Sequence, residues 1–482
     1  MKNRMVVLYR RTKLILTLGP SLDDRDTLVD MVKQGANVFR INFSHGTYAD
    51  HYKRVQLVKE VSTELGVVTG ILADLQGPKI RIAQVEKSEV ILYKGQDFFI
   101  ETALDSKSPG TSSGVFSDYA ALVSDVTVGS VILLRDGSIA LEVISINGSR
   151  VNCRVLKGGL LRDNAGLNLQ GGGISASAIS QKDMDDARYS IELGVDFVAL
   201  SFVKSDQDIR TIRSFYEQHD YPITIVSKIE RIEALENLDA IVQVSDAVMV
   251  ARGDLGVEVG YADLPSIQKN IIKTAKKYAK PVIVATQILE SMCTSPVPTR
   301  AEVSDVANAI LDGADTLMLS SESAIGDFPR EALEVLNESS LSAEKYMINE
   351  NKIEQVAFPD SSLDVSIAYS AIYLSQNVPI SAIVALTESG ETAFWMSRSY
   401  TNVPIIALTP DARSQRRLLL FKGVHPYTFD YFSKSSSELY SAVIDFVRDR
   451  FSVKVGSYIL LTRGQQIGIP GKTNSLRLIE VL

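Results

Sequence analysis

What most constrains this chain is a rhythm of short apolar runs. Eight of them recur: "TKLILTLG" (12–19), "NVFRINFS" (37–44), "TGILADLQG" (69–77), "DFVALSFV" (196–203), "ITIVSKIE" (223–230), "DAVMVARGD" (246–254), "KPVIVATQ" (280–287) and "DTLMLSSE" (315–322). Between most of them lie amphipathic stretches such as "RDTLVDMVKQG" and "ADLPSIQKNIIKTAKKYAK". Apolar, β-branched strands alternating with helices read as a parallel sheet covered on both faces. Eight such units suit an α/β fold of the (β/α)8 TIM-barrel type, ~250 residues long. The other common solution is an open doubly wound sheet, but no GxGxxG follows the first run.

The rhythm breaks once and then restarts. Between Asp74 and Asp196 the residues alternate apolar and polar at period two, and Asp136–Gly137 and Asn147–Gly148 are hairpin signals. Residues 82–172 therefore read as a small all-β domain, a β-barrel, inserted after the third barrel strand. It would sit at the C-terminal face of the barrel and act as a lid. Residues 1–81 and 173–347 form the barrel. Beyond them "AIVALTESG", "VPIIALTP", "GVHPYTF" and "GSYILLTRG" alternate with helices, so 348–482 reads as a separate, open α/β domain.

Bulk properties exclude several classes. A length of 482 residues implies roughly two to four domains. The net charge of −8 argues against a general grip on nucleic acid, and no run is long enough for a membrane span. The start, "MKNRMVVLYRRTKLIL", is basic then apolar, but no small-residue cleavage site follows and the apolar part reads as a strand. Cys153 and Cys293 have no metal-type spacing, so a reducing cytoplasm is expected.

The ends of the runs carry the chemistry: Arg40, Asn42 and Ser44; Asp74; Lys204; Lys228 and Glu230; Arg252 and Asp254; Thr286 and Gln287; Ser320 and Glu322. A lone charge at a strand end is usually a solvated loop residue. A barrel brings all its strand ends to one mouth, where polar residues from several strands form a site. Lys228 and Glu230 are two apart, so they point the same way from a strand. Glu230 and Asp254 could share Mg²⁺ or Mn²⁺, which prefer oxygen ligands, whereas zinc lacks its Cys/His cluster. Gly253 lets backbone approach a ligand, and a helix starting near Asp254 would offer N–H groups to an anion. Such a mouth suits phosphoryl transfer on a phosphorylated, carboxylated substrate. The alternative is a purely structural Lys228–Glu230 pair, costly to bury unaided.

"RRTKLILTLGPS", "GANVFRINFSHG", "DLQGPKIR", "SKIE", "VMVARGDLGVE", "VIVATQILESM" and "PTRAEVSDVANAILDGADTLMLSSESAIGDFP" closely resemble pyruvate kinase, in that family's order and over essentially the whole chain. The resemblance implies transfer of the phosphoryl group of phosphoenolpyruvate to ADP, giving pyruvate and ATP in glycolysis. It implies that Lys228 stabilises the phosphoryl group in flight and that Arg40 contacts it. Glu230 and Asp254 would hold the divalent ion. Backbone N–H groups of Gly253 and Asp254, with the Thr286 hydroxyl, would hold the substrate carboxylate, and Thr286 would lie near the site of enolpyruvate protonation. Asn42, Ser44, Asp74 and the Leu75 carbonyl match a monovalent-cation site, and His45, Arg81 and Lys182 match nucleotide-side positions. A homotetramer is implied as well.

This sequence departs from the family in places. "GLNLQGGGISASAISQKD" lacks the usual Leu-Pro pairs at the return from the insert, which touches lid mobility. Ser321 and Ser323 replace a small residue and a Thr, with little effect expected. Lys79 stands where potassium-requiring members carry Glu, so its ammonium could supply the charge that K⁺ supplies elsewhere. In "TESGETA", Thr387, Ser389, Gly390 and Thr392 could cradle a phosphate of an activating metabolite. With Glu391 beside them, the motif resembles forms activated by a sugar or nucleoside monophosphate more than bisphosphate-activated ones.

Other residues have blander readings: Trp395 as helix packing, Cys293 as a buried small residue, and His51, His219 and His425 as surface residues. Two rival functions share some of these features. One is a Mg²⁺-dependent barrel lyase or aldolase without a nucleotide. The other is a catalytically silent sensor of sugar phosphates. The intact Arg40, Lys228, Glu230 and Asp254 set argues against the sensor.

Overall fold

The computed structural model describes residues 10–103, 109–349, 362–464 and 473–482. All eight expected runs form strands, each shorter than its apolar run: Lys13–Thr17, Val38–Asn42, Gly70–Asp74, Phe197–Leu200, Thr224–Ile229, Ala247–Ala251, Val282–Ala285 and Thr316–Leu319. They close into one parallel barrel in which the first strand lies beside both the last and the second. The closure is seen in register: Lys13 lies opposite Thr316 and Ile15 opposite Val38, both in parallel pairing. Most barrel strands are buried at every position, which is why they read as unbroken apolar runs rather than alternating ones.

Local signals set the helix ends. The helix Tyr48–Leu65 opens on a Thr47/Asp50 capping box and stops at Gly66, whose φ of 62° is left-handed. Arg300–Asp312 repeats the device with Thr299/Glu302 and Gly313. The run 246–254 does not stay extended. Its strand ends at Ala251, and Arg252–Val259 is a helix, so Arg252, Gly253 and Asp254 occupy a first helical turn instead of a strand end.

The insert is mainly β, a six-stranded and a two-stranded sheet with the short helix Leu122–Asp125, wrapped round one apolar core that includes Phe98, Leu134, Leu141, Val151, Leu92 and Leu161. Both hairpin signals sit in turns. Ile139–Asn147 pairs antiparallel with Val131–Leu134 across Asp136–Gly137, and with Arg150–Lys157 across Asn147–Gly148. Asp136, Gly137 and Gly148 all have positive φ, which Asp and Gly tolerate best.

The C-terminal region carries an open five-stranded sheet. Ile380–Leu386, Ile405–Thr409, Val424–Thr428 and Tyr458–Gly464 are parallel and match the four expected runs. The fifth strand, Thr473–Glu480, runs antiparallel on the edge and was not expected. Its "TNSLRLIE" opens on three polar residues and lacks the apolar density that marks the other four.

The described residues group into two compact units. One holds residues up to Ala73, Leu193–Val198 and Ile272–Leu482; the other holds Asp74–Glu192 and Ala199–Ile271. Among the described residues no helix is long and apolar enough to cross a membrane. Cys153 and Cys293 are free thiols. His51 is buried, against expectation: it faces inward from the helix Tyr48–Leu65 and packs edge-on against Phe43 at 4.9 Å. His425 is half-buried; desolvation, with Lys13, Arg10 and Arg11 nearby, holds its imidazole well below the usual histidine range. Cys293 is half-buried rather than buried. Trp395 is half-buried in the helix Glu391–Ser397, its ring edge-to-face with that of the adjacent Phe394.

Candidate active site

In the unit containing Asp74–Glu192 and Ala199–Ile271, the strand Thr224–Ile229 carries Lys228, and Glu230 follows directly. Lys228 Nζ lies 2.9 Å from Glu230 Oε1, 3.2 Å from Asp74 Oδ1 and 2.7 Å from Ser201 Oγ. Its side chain is only 12% exposed, and both carboxylates are almost wholly buried. Glu230 Oε2 also accepts the Phe202 N–H at 2.7 Å. Burial pushes the Glu230 carboxyl up, Asp254 repels its charge further, and Lys228 opposes both.

The segment "LSF" after the strand Phe197–Leu200 supplies two of these contacts. Phe202 holds a φ of 54°, a left-handed backbone costing a non-glycine residue about 1–2 kcal/mol. That turn is what aims its N–H at Glu230. Gly77 makes the close approach possible: a Cβ there would lie 2.7 Å from Phe202 and 2.9 Å from Ser201.

Around this cluster the return from the insert is held by side chains. Gly171, Gly172 and Gly173 all have positive φ. Glu233 Oε1 accepts the Gly173 N–H at 2.8 Å. Lys204 Nζ donates to the carbonyls of Ile174 (2.6 Å) and Ala176 (2.7 Å), and Arg231 reaches Ile174 as well. From the insert, Asp125 takes the Ser175 N–H and Tyr119 Oη takes that of Ala176. Lys204, expected at a strand end of the site, is thus committed to this clasp. Glu258 nearby accepts the Ile232 N–H at 3.1 Å, and burial pushes its carboxyl up to about 7.

Arg81, Lys182 and Lys79 also lie in this unit. Arg81 Nη1 donates to the Asn164 carbonyl at 3.1 Å, and Lys182 pairs with the buried Asp186 at 2.6 Å. Lys79 is half-buried, its Cε 3.7 Å from where a Cβ on Gly166 would stand.

Leu75, Arg252, Gly253 and Asp254 belong to this unit as well, and the other unit holds Arg40, Asn42, Ser44, His45, Thr286, Gln287, Ser320, Glu322 and the loop 387–392. Arg40 is buried in the strand Val38–Asn42, where its Nη1 donates to Thr17 Oγ1 at 3.0 Å. Asn42 Oδ1 accepts the Ser44 N–H at 3.1 Å, and His45 is exposed. Thr286 and Gln287 have φ of 64° and 53°, so the chain turns sharply just past the strand Val282–Ala285. Left-handed non-glycine backbone is uncommon and concentrates at functional turns. Glu322 accepts the N–H groups of Leu289 and Ser320, so it braces loops. Ser323 holds Thr17 through both its N–H and its carbonyl.

In the loop 387–392 the Thr387 hydroxyl accepts the Gly390 N–H at 3.0 Å, and Thr392 Oγ1 lies 2.6 Å from Thr473 Oγ1. Gly390, at φ 85°, caps the helix Glu391–Ser397. Ser389 is half-buried.

The carboxylate set suits a small divalent cation. Glu230 and Asp254 are hard oxygen donors whose mutual repulsion raises Glu230, and a cation between them would relieve it. Among the described residues no group of three or more His, Cys, Asp or Glu side chains could hold a metal. Two protein carboxylates with remaining positions left to water and substrate is the usual arrangement for Mg²⁺.

The family models decide the lineage. Residues 9–333 match the model described as pyruvate kinase, barrel domain, and residues 365–479 match pyruvate kinase, alpha/beta domain. This chain belongs to the pyruvate kinase family. The pyruvate kinase of Buchnera aphidicola subsp. Baizongia pistaciae is 41% identical over 484 residues, spanning 99% of this chain and 100% of that one. Pyruvate kinase II of Salmonella typhimurium is 40% identical over 477 residues, 98% of this chain and 99% of its own. The crystal structure of a pyruvate kinase from Cryptosporidium parvum superposes with a TM-score of 0.89 at 32% identity, covering 98% of this chain and 96% of that one. As a family, pyruvate kinases are phosphotransferases that use Mg²⁺ and K⁺.

Sequence reasoning missed Ser201, Phe202, Arg231, Glu233 and Glu258. Ser201 and Phe202 were legible only as the end of an apolar run, Arg231 and Glu233 as ordinary polar residues at a helix start, and Glu258 as one near a helix end. None carries a motif by itself.

Proposed function

We propose that this enzyme transfers the phosphoryl group of phosphoenolpyruvate to ADP, yielding pyruvate and ATP. The observation that carries the reading is the Lys228 ammonium, held within 3.2 Å of Asp74, Glu230 and Ser201 in a nearly buried setting. A fixed, desolvated cation is what a migrating, negatively charged phosphoryl group requires, because such charge is stabilised best by groups that need no reorganisation. Arg40 contacts the same group. The N–H groups of Gly253 and Asp254, in the first turn of their helix, hold the substrate carboxylate together with Thr286, and Thr286 lies near the protonation step. His45, Arg81 and Lys182 act on the nucleotide side. Glu230 and Asp254 hold Mg²⁺ or Mn²⁺, which when bound neutralises phosphoryl charge.

The finer assignments form one picture. Residues 1–81 and 173–347 are the catalytic barrel domain, 82–172 the lid and 348–482 an effector domain. The clasp at 173–176 takes the place of proline rigidity in the hinge. Asn42, Ser44, Asp74 and the Leu75 carbonyl are the monovalent-cation ligands, with Lys79 supplying the charge that K⁺ supplies in other members. Thr387, Ser389, Gly390 and Thr392 receive the phosphate of an activating sugar or nucleoside monophosphate. The enzyme is a cytoplasmic homotetramer.

The test is a coupled assay of pyruvate formation from phosphoenolpyruvate with Mg²⁺, with and without ADP. Strict dependence on ADP is expected. Pyruvate release without ADP would indicate a lyase, and no turnover with ADP would refute the reading.

A further inference from the structure

Ser201 is the first residue after the strand Phe197–Leu200 and is 1% exposed. A hydroxyl has one proton to give and two lone pairs to receive. Three polar groups surround Ser201 Oγ: the Leu75 carbonyl at 2.6 Å, Lys228 Nζ at 2.7 Å and Asp74 Oδ1 at 3.4 Å. The ammonium can only donate. The single serine proton therefore goes to the closest acceptor, the Leu75 carbonyl, and the Asp74 contact is too long to compete. A lone pair of Oγ is left facing Lys228, and the backbone carbonyl locks the rotor that aims it.

Lysine is a point charge on a flexible four-carbon stem, so its position depends on what grips the ammonium. Asp74 and Glu230 pull on Lys228 by charge. Charge attraction is weakly directional, and either carboxylate could draw the ammonium toward itself. Ser201 adds a neutral, directional acceptor. Its own place is set by packing, since the turn at Gly77 comes so close that even a Cβ there would lie 2.9 Å from Ser201 Cβ.

We propose that Ser201 is a positioning residue for the phosphoryl transfer: its hydroxyl, anchored on the Leu75 carbonyl, fixes the Lys228 ammonium where the migrating group passes. This deepens the proposed role of Lys228 and rests on it. Ser201 acts here through the ammonium it receives, so its loss should act on the rate and spare binding.

The experiment is a double-mutant cycle with Ser201→Ala and Lys228→Met, measuring kcat by the coupled assay and phosphoenolpyruvate binding by calorimetry. Misplacing a reacting group by about 1 Å costs up to ~10²-fold. Ser201→Ala should therefore lose about 10- to 100-fold in kcat, with the Kd for phosphoenolpyruvate changed by less than about threefold. A residue that works by positioning Lys228 adds nothing once Lys228 is gone, so the double variant should be no slower than Lys228→Met alone. Ser201→Thr keeps the hydroxyl and should recover most of the rate lost in Ser201→Ala. If Lys228→Met retains near-normal turnover, the role of Lys228 itself is wrong. If Lys228→Met is slow but Ser201→Ala is normal, or multiplies its loss onto the Lys228→Met background, the positioning role is overturned. Threonine as slow as alanine also overturns it.

Discussion

Lys13, at the start of the first barrel strand, is a buried cation whose removal should stabilise the protein. It is 3% exposed, and its Nζ donates to the Val424 carbonyl at 2.5 Å. Burial, with repulsion from Arg10 and against the pull of Glu344, lowers its pKa from 10.5 to about 7. A folded pKa below the unfolded one means that the unfolded chain binds the extra proton between those values. Stability therefore rises with pH across that window and is lowest below pH 7. With these pKa values, linkage gives a penalty of roughly 5 kcal/mol at pH 6 that shrinks to roughly 2 kcal/mol at pH 9, a climb of about 3 kcal/mol.

Lys13→Met keeps the length and apolar stem and deletes the charge, at the cost of an unsatisfied Val424 carbonyl worth about 1–3 kcal/mol. The variant should be more stable than the wild type by about 2–4 kcal/mol at pH 6 and nearly equal to it at pH 9. Lys422, lowered to about 8 by burial, and His425 titrate with the same sign in both proteins. They leave a residual slope in the variant, and the difference between the two proteins reports Lys13 together with its repulsion of His425. Urea unfolding of both from pH 6 to 9 reads this directly. A variant whose stability climbs as steeply as the wild type's, or one less stable at pH 6, would refute the reasoning.

Other perturbations probe the site. Glu230→Gln and Asp254→Asn should raise the Mg²⁺ concentration needed for half-maximal activity as well as lower kcat, seen in metal titrations of the coupled assay. An unchanged metal requirement in both would remove them as metal ligands. The wild type should be substantially active in Mg²⁺ buffer whose only monovalent cation is a bulky ammonium, and Lys79→Glu should create a K⁺ requirement. Many-fold activation of the wild type by K⁺ would reject the lysine surrogate. Titration with fructose 1,6-bisphosphate, ribose 5-phosphate and AMP should show activation by a monophosphate, and activation by the bisphosphate alone would contradict the assigned loop.

The sequence by itself determined the architecture, because local physics writes it. Most of the eight runs are near-continuous in apolar residues because a parallel strand buried on both faces cannot alternate. Asp136–Gly137 and Asn147–Gly148 mark turns because few residues accept positive φ. Lys228 and Glu230 were legible as partners since residues two apart share a face, and they meet at 2.9 Å. The edge strand Thr473–Glu480 escaped notice because an edge needs less apolar surface than a centre.

Tertiary structure alone decided who else grips Lys228. Asp74 and Ser201 come from two other strand ends, and no spacing along the chain relates them to it. The same holds for His51, whose inward face exists only once its helix packs against Phe43. It holds too for the clasp of Lys204, Arg231 and Glu233, which meets the backbone of 173–176 with groups that no spacing along the chain relates to it. Periodicity reports which face of an element is buried. Which distant groups share that burial depends on chain closure, because a buried charge must find its partners in space rather than along the sequence.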